Sequence, residues 1–377
     1  MRIVILGSAH PLRGGGIASF NERLAYSLQE QGHQVDIFSF SLQYPSFLFP
    51  GKSQYTDEPA PPGLTISTKI NSINPLNWIK VGRELKKANY DLLIVRFWMP
   101  FFGLSLGTIQ RIVRKNKKTK VICIADNIIP HERRRGDAWL TRYFLRAVDG
   151  CITMSKTVLE DLKQLASHMP ARCTPHPLYD NYGEKLEKSV ARSLLNLPQD
   201  GKILLFFGFI RRYKGLDILL EALHDPQVSA MGMKLLVVGE YYDRADYYQS
   251  IIDKYELQSQ VILYTDFVPN AKIAGYFSAA DCVVLPYRSA TQSGITQVAY
   301  HFSLPMIVSN VGGLPEMVKD DVVGYVVEPE AEAIARALVR FYEEGREQEF
   351  VHHIEIEKKK YSWKTFTDEI LEMVDVL

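Results

Sequence analysis

The chain has 377 residues, 46% of them hydrophobic and 23% charged, with four cysteines and a formal net charge of +1. That length is too great for one ordinary core and predicts a globular enzyme of two domains. No apolar run approaches the roughly 20 residues that cross a bilayer, and the first seven residues are too short for a secretory leader, so a cytoplasmic protein is expected.

Apolar runs alternate with amphipathic segments from the start. Strands are predicted at 3–6, 35–38, 91–95, 121–124 and 151–154, and helices near 17–31, 78–87, 104–114, 139–147 and 157–165. Such alternation gives a doubly wound parallel sheet with ligands at the carboxyl ends of the strands. Residues 43–65, rich in Pro, Tyr and Ser, are expected as a long loop that touches substrate. Gly14-Gly15-Gly16 precede the first helix, where a bare backbone approaches a ligand closely. Their spacing is neither that of a dinucleotide fingerprint nor that of a P-loop.

Next comes Arg96-Phe97-Trp98-Met99-Pro100-Phe101-Phe102, an aromatic loop expected to follow a strand. Arg96, Trp98, Phe101 and Arg133 are candidate acceptor or membrane contacts, against a plain reading as core aromatics and solvated arginines. Asp126 and His131 fall at a strand's carboxyl end, in the ligand crevice of an open sheet, where His131 can donate to a sugar hydroxyl or phosphate or merely cap a loop. Residues 1–180 carry 24 Lys+Arg against 14 Asp+Glu, a balance of +10 that leaves −9 for the remainder. A basic first half points to an anionic partner: a membrane surface, a lipid phosphate or an acidic glycan. No nucleic-acid partner is expected. The cysteines have no metal or redox spacing and read as free thiols.

From Thr174 to about Gly201 the pattern breaks, which reads as a hinge and linker. A second alternating set follows, with strands at 203–208, 234–238, 261–263, 282–285 and 306–308. The domains expected are 1–180 and 181–360, facing each other across a cleft, with a terminal helix at 361–377. Two loops of the second set suit an anion. Gly208 to Asp217 carries Arg211 and Lys214, three residues apart, where both reach one diphosphate. Ser289 to Gly294 leads into a helix whose free N–H groups and dipole face the same kind of ligand.

Together these motifs carry a resemblance. Phe207-Gly208…Lys214-Gly215, Ala280-Asp281…Leu285-Pro286-Tyr287 and Pro305…Gly312-Gly313-Leu314-Pro315-Glu316 resemble the donor domain of the family-4 retaining glycosyltransferases of GT-B fold. Gly15-Gly16 with Gly32-His33-Gln34-Val35, Asn127…Pro130-His131-Glu132 and Trp363 extend the resemblance over nearly the whole chain. It implies two Rossmann-like domains and a terminal helix on the first. It also implies transfer of a sugar from a nucleotide-diphosphate donor with retained configuration, and neither a cofactor nor a metal. The absence of any Asp-x-Asp pair agrees with the last point. Arg211 and Lys214 would hold the diphosphate, with Asp126 and His131 beside the reacting sugar. Gly15, Gly16, Gly208, Ser293, Gly294, Ile295, Gln297 and Glu316 would bind donor.

Three positions depart from the family. Its two glutamates eight residues apart fall on Ala290 and Val298, or on Thr291 and Ala299, depending on the anchor. Gln297 is the nearest polar stand-in for a ribose contact. Phe209 stands where the family has Arg, and Asp126 where it has His. The leading expectation is a transferase making a surface polysaccharide or lipopolysaccharide. Its acceptor would be a glycan or lipid-linked, and its place the inner membrane face. A sugar-nucleotide 2-epimerase of the same fold and a non-catalytic nucleotide-sugar-binding partner subunit stay open as alternatives.

Overall fold

The structure is a computed structural model that describes residues 1–377 apart from 46–48, 50–52 and 131–133. Two compact units divide it: Met1–Pro177 with Tyr361–Leu377, and Leu178–Lys360.

In the first unit the elements run β1 (Arg2–Leu6), α1 (Gly16–Glu30), β2 (Gln34–Leu42), β3 (Thr65–Asn71), α2 (Pro75–Ala88), β4 (Leu92–Phe97), α3 (Gly103–Val113), β5 (Lys120–Ala125), α4 (Asp137–Leu145), β6 (Gly150–Thr153), α5 (Lys156–Leu165) and β7 (Ala171–Cys173). The sheet order is β3-β2-β1-β4-β5-β6-β7, and every pair is parallel. Central strands are buried on both faces, so Leu93, Val95, Val121 and Cys123 read as continuous apolar runs. Helix starts follow local chemistry. The Asn74 side chain accepts the Leu76 and Asn77 N–H groups with Pro75 at the first position, and Ser155 caps α5.

The second unit comprises α6 (Lys188–Leu194), β8 (Ile203–Phe207), α7 (Leu216–Leu223), α8 (Pro226–Ala230), β9 (Lys234–Val238), α9 (Ala245–Lys254), β10 (Val261–Tyr264), α10 (Asn270–Ala279), β11 (Cys282–Leu285), α11 (Gly294–His301), β12 (Met306–Ser309), α12 (Leu314–Met317), β13 (Gly324–Val327), α13 (Ala331–Glu343) and α14 (Glu347–Glu357). Its six parallel strands run β10-β9-β8-β11-β12-β13. Strand order reverses between β8 and β11 here, and between β1 and β4 in the first unit. Ligand crevices of such sheets open at those reversals.

Helix α15 (Trp363–Val376) returns to the first unit. Trp363 and Phe366 pack on Phe20 at 4.9 and 5.5 Å between ring centroids, and Arg172 pairs with Glu369 and Glu372 at 2.8 Å.

Several expectations are refined. The stretch read as a hinge and linker, 174–201, crosses the division between the units at Pro177 and Leu178, and it contains α6, which Arg192 locks down by donating to Ala279, Gln199 and Asp281. Asp281 also accepts from Ile203 N–H, Lys188 and Tyr342, so α6 is tied into the second unit. The supposed aromatic loop begins two residues late, because Arg96 and Phe97 complete β4. The edge strands β3, β7 and β13 were missed: short or half-exposed, they lack a buried run. Cys123, Cys151 and Cys282 are buried thiols and Cys173 is exposed.

Candidate active site

At the end of β8 the chain turns at Gly208, whose φ of +104° suits glycine alone. A side chain there would sit 2.8 Å from Lys214 Nζ and 3.7 Å from Ile295 Cδ1. Gly208, Lys214 and the start of α11 therefore meet at one point. The 3-10 turn over Arg212–Lys214 brings the lysine back beneath the loop, and Gly215 ends that turn at φ +68°. A Cβ on Gly215 would lie 1.9 Å from the Pro286 carbonyl oxygen, so the turn presses directly on the end of β11.

Two further contacts join these loops. Arg288 donates its N–H to the Tyr213 carbonyl at 2.7 Å, and its guanidinium grips Asp217 at 2.7 and 2.9 Å. Burial alone would raise the Asp217 carboxyl, but the bonds from Arg288 and Tyr247 hold it below the usual carboxylate range. From the other side Gly312, at φ +50°, comes so close to the Ala290 carbonyl that any Cβ would collide with it.

What the two loops bring together is positive. Lys214 is buried, its ammonium 5.6 Å from the centre of the Tyr287 ring. Arg211 lies over Tyr242 at 5.1 Å, and Tyr242 stacks on Phe209 at 4.1 Å. Among the described residues no carboxylate pairs with either cation. Burial, with the Arg211 charge adding to it, pushes the Lys214 ammonium down to about 8. Helix α11 presents its N-terminus beside them. The Ser293 side chain caps no N–H and lies 3.4 Å from the Tyr287 hydroxyl. No acceptor among the described residues takes the N–H of Gly294 or Ile295. Two unpaired cations and a free helix start form a seat for a dianionic group.

Other sequence candidates sit differently. Gln297, read as a ribose contact, has no exposed surface, and both its amide atoms lack partners, so it is an interior group of α11. Glu316 is exposed on α12. Ala290, Val298 and Ala299 are buried and Thr291 is half-buried, so three of the four positions that could match the family's glutamates hold apolar groups inside the fold. The sequence reading missed Asp217, Arg288 and Tyr287. The one available signal was an aromatic and an arginine directly after a predicted strand.

In the first unit Gly15 opens α1 at φ +129°, and its N–H donates to the Ser19 hydroxyl at 3.2 Å. Gly16, the first residue of α1, is exposed. Arg96 was read as an acceptor or membrane contact. It is only 2% exposed, stacked on Phe20 at 3.7 Å, and bound to Asp126 through two hydrogen bonds of 2.6 and 2.5 Å. Asp126 is thus held by an internal arginine instead of standing open to a sugar. Trp98 donates to the Tyr44 hydroxyl at 2.8 Å and packs on Phe102; Phe101 packs on Phe102 as well, so both rings are half-buried in an aromatic cluster. Burial pushes the His176 imidazole down to about 3, keeping it neutral beside Arg96. His131 and Arg133 lie outside the described residues. Among the described residues no three His, Cys, Asp or Glu side chains gather as metal ligands, and no helix is long and apolar enough to cross a membrane.

Comparison with known proteins agrees with this geometry. The family described as Glycosyl transferases group 1 matches residues 201–344, and Glycosyltransferase Family 4 matches residues 14–178. An uncharacterized glycosyltransferase, MJ1607 of Methanocaldococcus jannaschii, is 24% identical over 100% of this chain and 98% of its own length. Among solved structures, a sucrose-phosphate synthase from Thermosynechococcus elongatus superposes with a TM-score of 0.75 at 20% identity, covering 99% of this chain and 98% of that one. Anabaena HepE in complex with UDP and glucose gives 0.73 at 17% identity over 100% of both chains. Matches to both halves and the two parallel sheets lead to one conclusion: the chain belongs to the group 1, family 4 glycosyltransferases and has the GT-B fold.

Proposed function

We propose that this glycosyltransferase moves a sugar from a nucleotide-diphosphate donor to a glycan or lipid-linked acceptor of surface polysaccharide synthesis, with retained anomeric configuration and without a metal ion. One observation carries the donor part: Lys214 and Arg211, both without a carboxylate partner among the described residues, beside the uncapped start of α11. As the bond from the anomeric carbon to the diphosphate oxygen breaks, negative charge grows on that oxygen. Preorganised cations and N–H groups stabilise it there, the task a metal serves elsewhere. Tyr287 positions Ser293 and underlies the lysine, and the Arg288–Asp217 pair keeps the two loops in register. A uridine diphosphate sugar is the first donor to try, because the Anabaena structures hold UDP and UDP-glucose.

A thermal-shift screen against UDP-, GDP-, ADP- and CMP-sugars identifies the donor. Proton NMR of the product then reads its anomeric configuration, with and without EDTA. Inversion, or loss of turnover in EDTA, refutes the corresponding part of the proposal. Conversion of donor with no acceptor present would instead indicate the epimerase.

A further inference from the structure

Past the end of β8 the chain keeps its pairing with the β9 side a little further. Gly208 N–H donates to the Val238 carbonyl at 2.9 Å, Ile210 N–H to the Glu240 carbonyl at 2.8 Å, and Tyr242 N–H to the Ile210 carbonyl at 3.0 Å. These bonds make a parallel bridge between Ile210 and Tyr241 outside the named strands. Arg211 is itself extended, with φ −134° and ψ 151°. Successive side chains of an extended segment point to opposite sides. Ile210 has no exposed surface and belongs to the core, so Phe209 and Arg211 share the outer side. Tyr242 meets them there from the loop after β9. Its ring stacks on Phe209 at 4.1 Å and 25°, and the Arg211 guanidinium lies 5.1 Å from its centre.

An arginine in this place needs a hold. Its long stem leaves the head free to sample solvent, and its charge is like that of Lys214, whose ammonium it helps to push down. With no anion bound, repulsion drives the two cations apart. The next residue is held by opposite charge: Arg212 lies 3.7 Å from the Asp217 carboxylate, and over the Tyr247 ring at 4.3 Å. A carboxylate beside Arg211 would cancel the charge that a diphosphate needs. An aromatic face holds a guanidinium through its quadrupole and leaves that charge uncancelled.

The geometry points to Tyr242, backed by Phe209, as the positioning residue for Arg211: the ring keeps the guanidinium beside Lys214 before a diphosphate binds, so the seat is built in advance. Both rings act through the arginine. The inference rests on the reading of Arg211 as a diphosphate ligand and adds what keeps that ligand in place.

Titration calorimetry of the full chain with UDP, GDP, ADP and CDP tests it, using the diphosphate that the wild type binds most tightly. Tyr242→Leu keeps an apolar side chain but has no π face, and should weaken binding about tenfold, the size of one cation–π contact. Phe209→Leu removes only the backing and should weaken it about threefold. Tyr242→Phe retains the ring and should bind within about twofold of the wild type. A double-mutant cycle separates positioning from plain structural support. On an Arg211→Ala background Tyr242→Leu should change affinity by less than about twofold, because no guanidinium is left to place. The same tenfold loss on both backgrounds overturns the inference. So does a Tyr242→Leu protein that binds like the wild type, or a Tyr242→Phe protein as weak as Tyr242→Leu. Thermal unfolding checks each fold, and where Tyr242→Leu melts below the assay temperature the cycle is run with Phe209→Leu. A different failure marks the underlying reading: if Arg211→Ala binds like the wild type, or the wild type binds none of the four diphosphates, Arg211 is no diphosphate ligand and the inference falls with it.

Discussion

The two sheets follow one plan yet treat charge at their ligand ends in opposite ways. In the first unit Arg96 leaves the end of β4 and is at once neutralised by Asp126 from the end of β5. In the second, Lys214 and Arg211 follow β8 and meet no carboxylate among the described residues. A buried arginine that has its carboxylate is part of the scaffold. A buried lysine that lacks one carries a desolvation penalty which only a bound anion removes. The contrast fits a structural role at one end and supports the ligand proposed at the other.

The largest expected effect tests that assignment. Lys214→Ala should lower kcat/KM by about a thousandfold, the size seen when one preorganised transition-state partner is lost. Lys214→Met should do the same while raising the melting temperature, since it removes a partnerless charge whose burial costs on the order of 2–3 kcal/mol near neutral pH. Steady-state kinetics beside calorimetry reads both; a melting temperature that falls would show the lysine paired after all. In the first unit the signs reverse. Asp126→Ala strands the Arg96 guanidinium and should destabilise by about 3–5 kcal/mol, whereas Arg96→Met with Asp126→Leu should cost far less. Urea unfolding of the two variants separates these outcomes.

The sequence showed much of this contrast, though unevenly. Buried strands were legible because an apolar run between turn residues has few other fates, and Arg211, Lys214 and Gly294 were legible because each follows such a run. The pairing of Arg96 with Asp126 was not, because 30 residues separate two groups that only the β4–β5 register brings together. The same holds for Asp217 and Arg288, joined across a loop contact that Gly215 permits. The edge strands escaped because β3, with TISTKIN, is mostly polar and half-exposed. Helix α6 escaped because its anchor is a buried arginine, which in a sequence looks like any solvated one.

pH sharpens the comparison at a smaller scale. In the folded protein Lys214 releases its proton near 8, while the unfolded chain keeps its lysine proton to about 10.5. Between those values the unfolded state binds more protons, so this group makes stability rise with pH across that window. Donor binding runs the other way. An anion favours the charged lysine, so affinity should fall above pH 8 by up to about tenfold per pH unit. Titration calorimetry across that range measures it, and Lys214→Arg should flatten the profile. A wild-type profile already flat there would mean that the diphosphate is bound without the lysine.

The smallest effect concerns the clamp between the two donor loops. Arg288 and Asp217 join through two hydrogen bonds, but the Arg288 side chain is 39% exposed, so solvent screens much of the attraction. Arg288→Ala should therefore cost only about 1 kcal/mol of stability. Its catalytic effect should exceed that figure. Arg288 also donates to the Arg212 carbonyl in the turn that ends at Lys214, so its loss lets the lysine drift relative to the start of α11. A displacement of that kind weakens stabilisation realised only as the leaving group departs, and kcat should drop about tenfold with KM for donor nearly unchanged. Arg288→Lys keeps the charge but not the two-point grip on Asp217 and should recover only part of the loss. Were KM to rise instead, Arg288 would be a ligand to the donor in its own right, and the second unit would hold three ligand cations where the geometry assigns two.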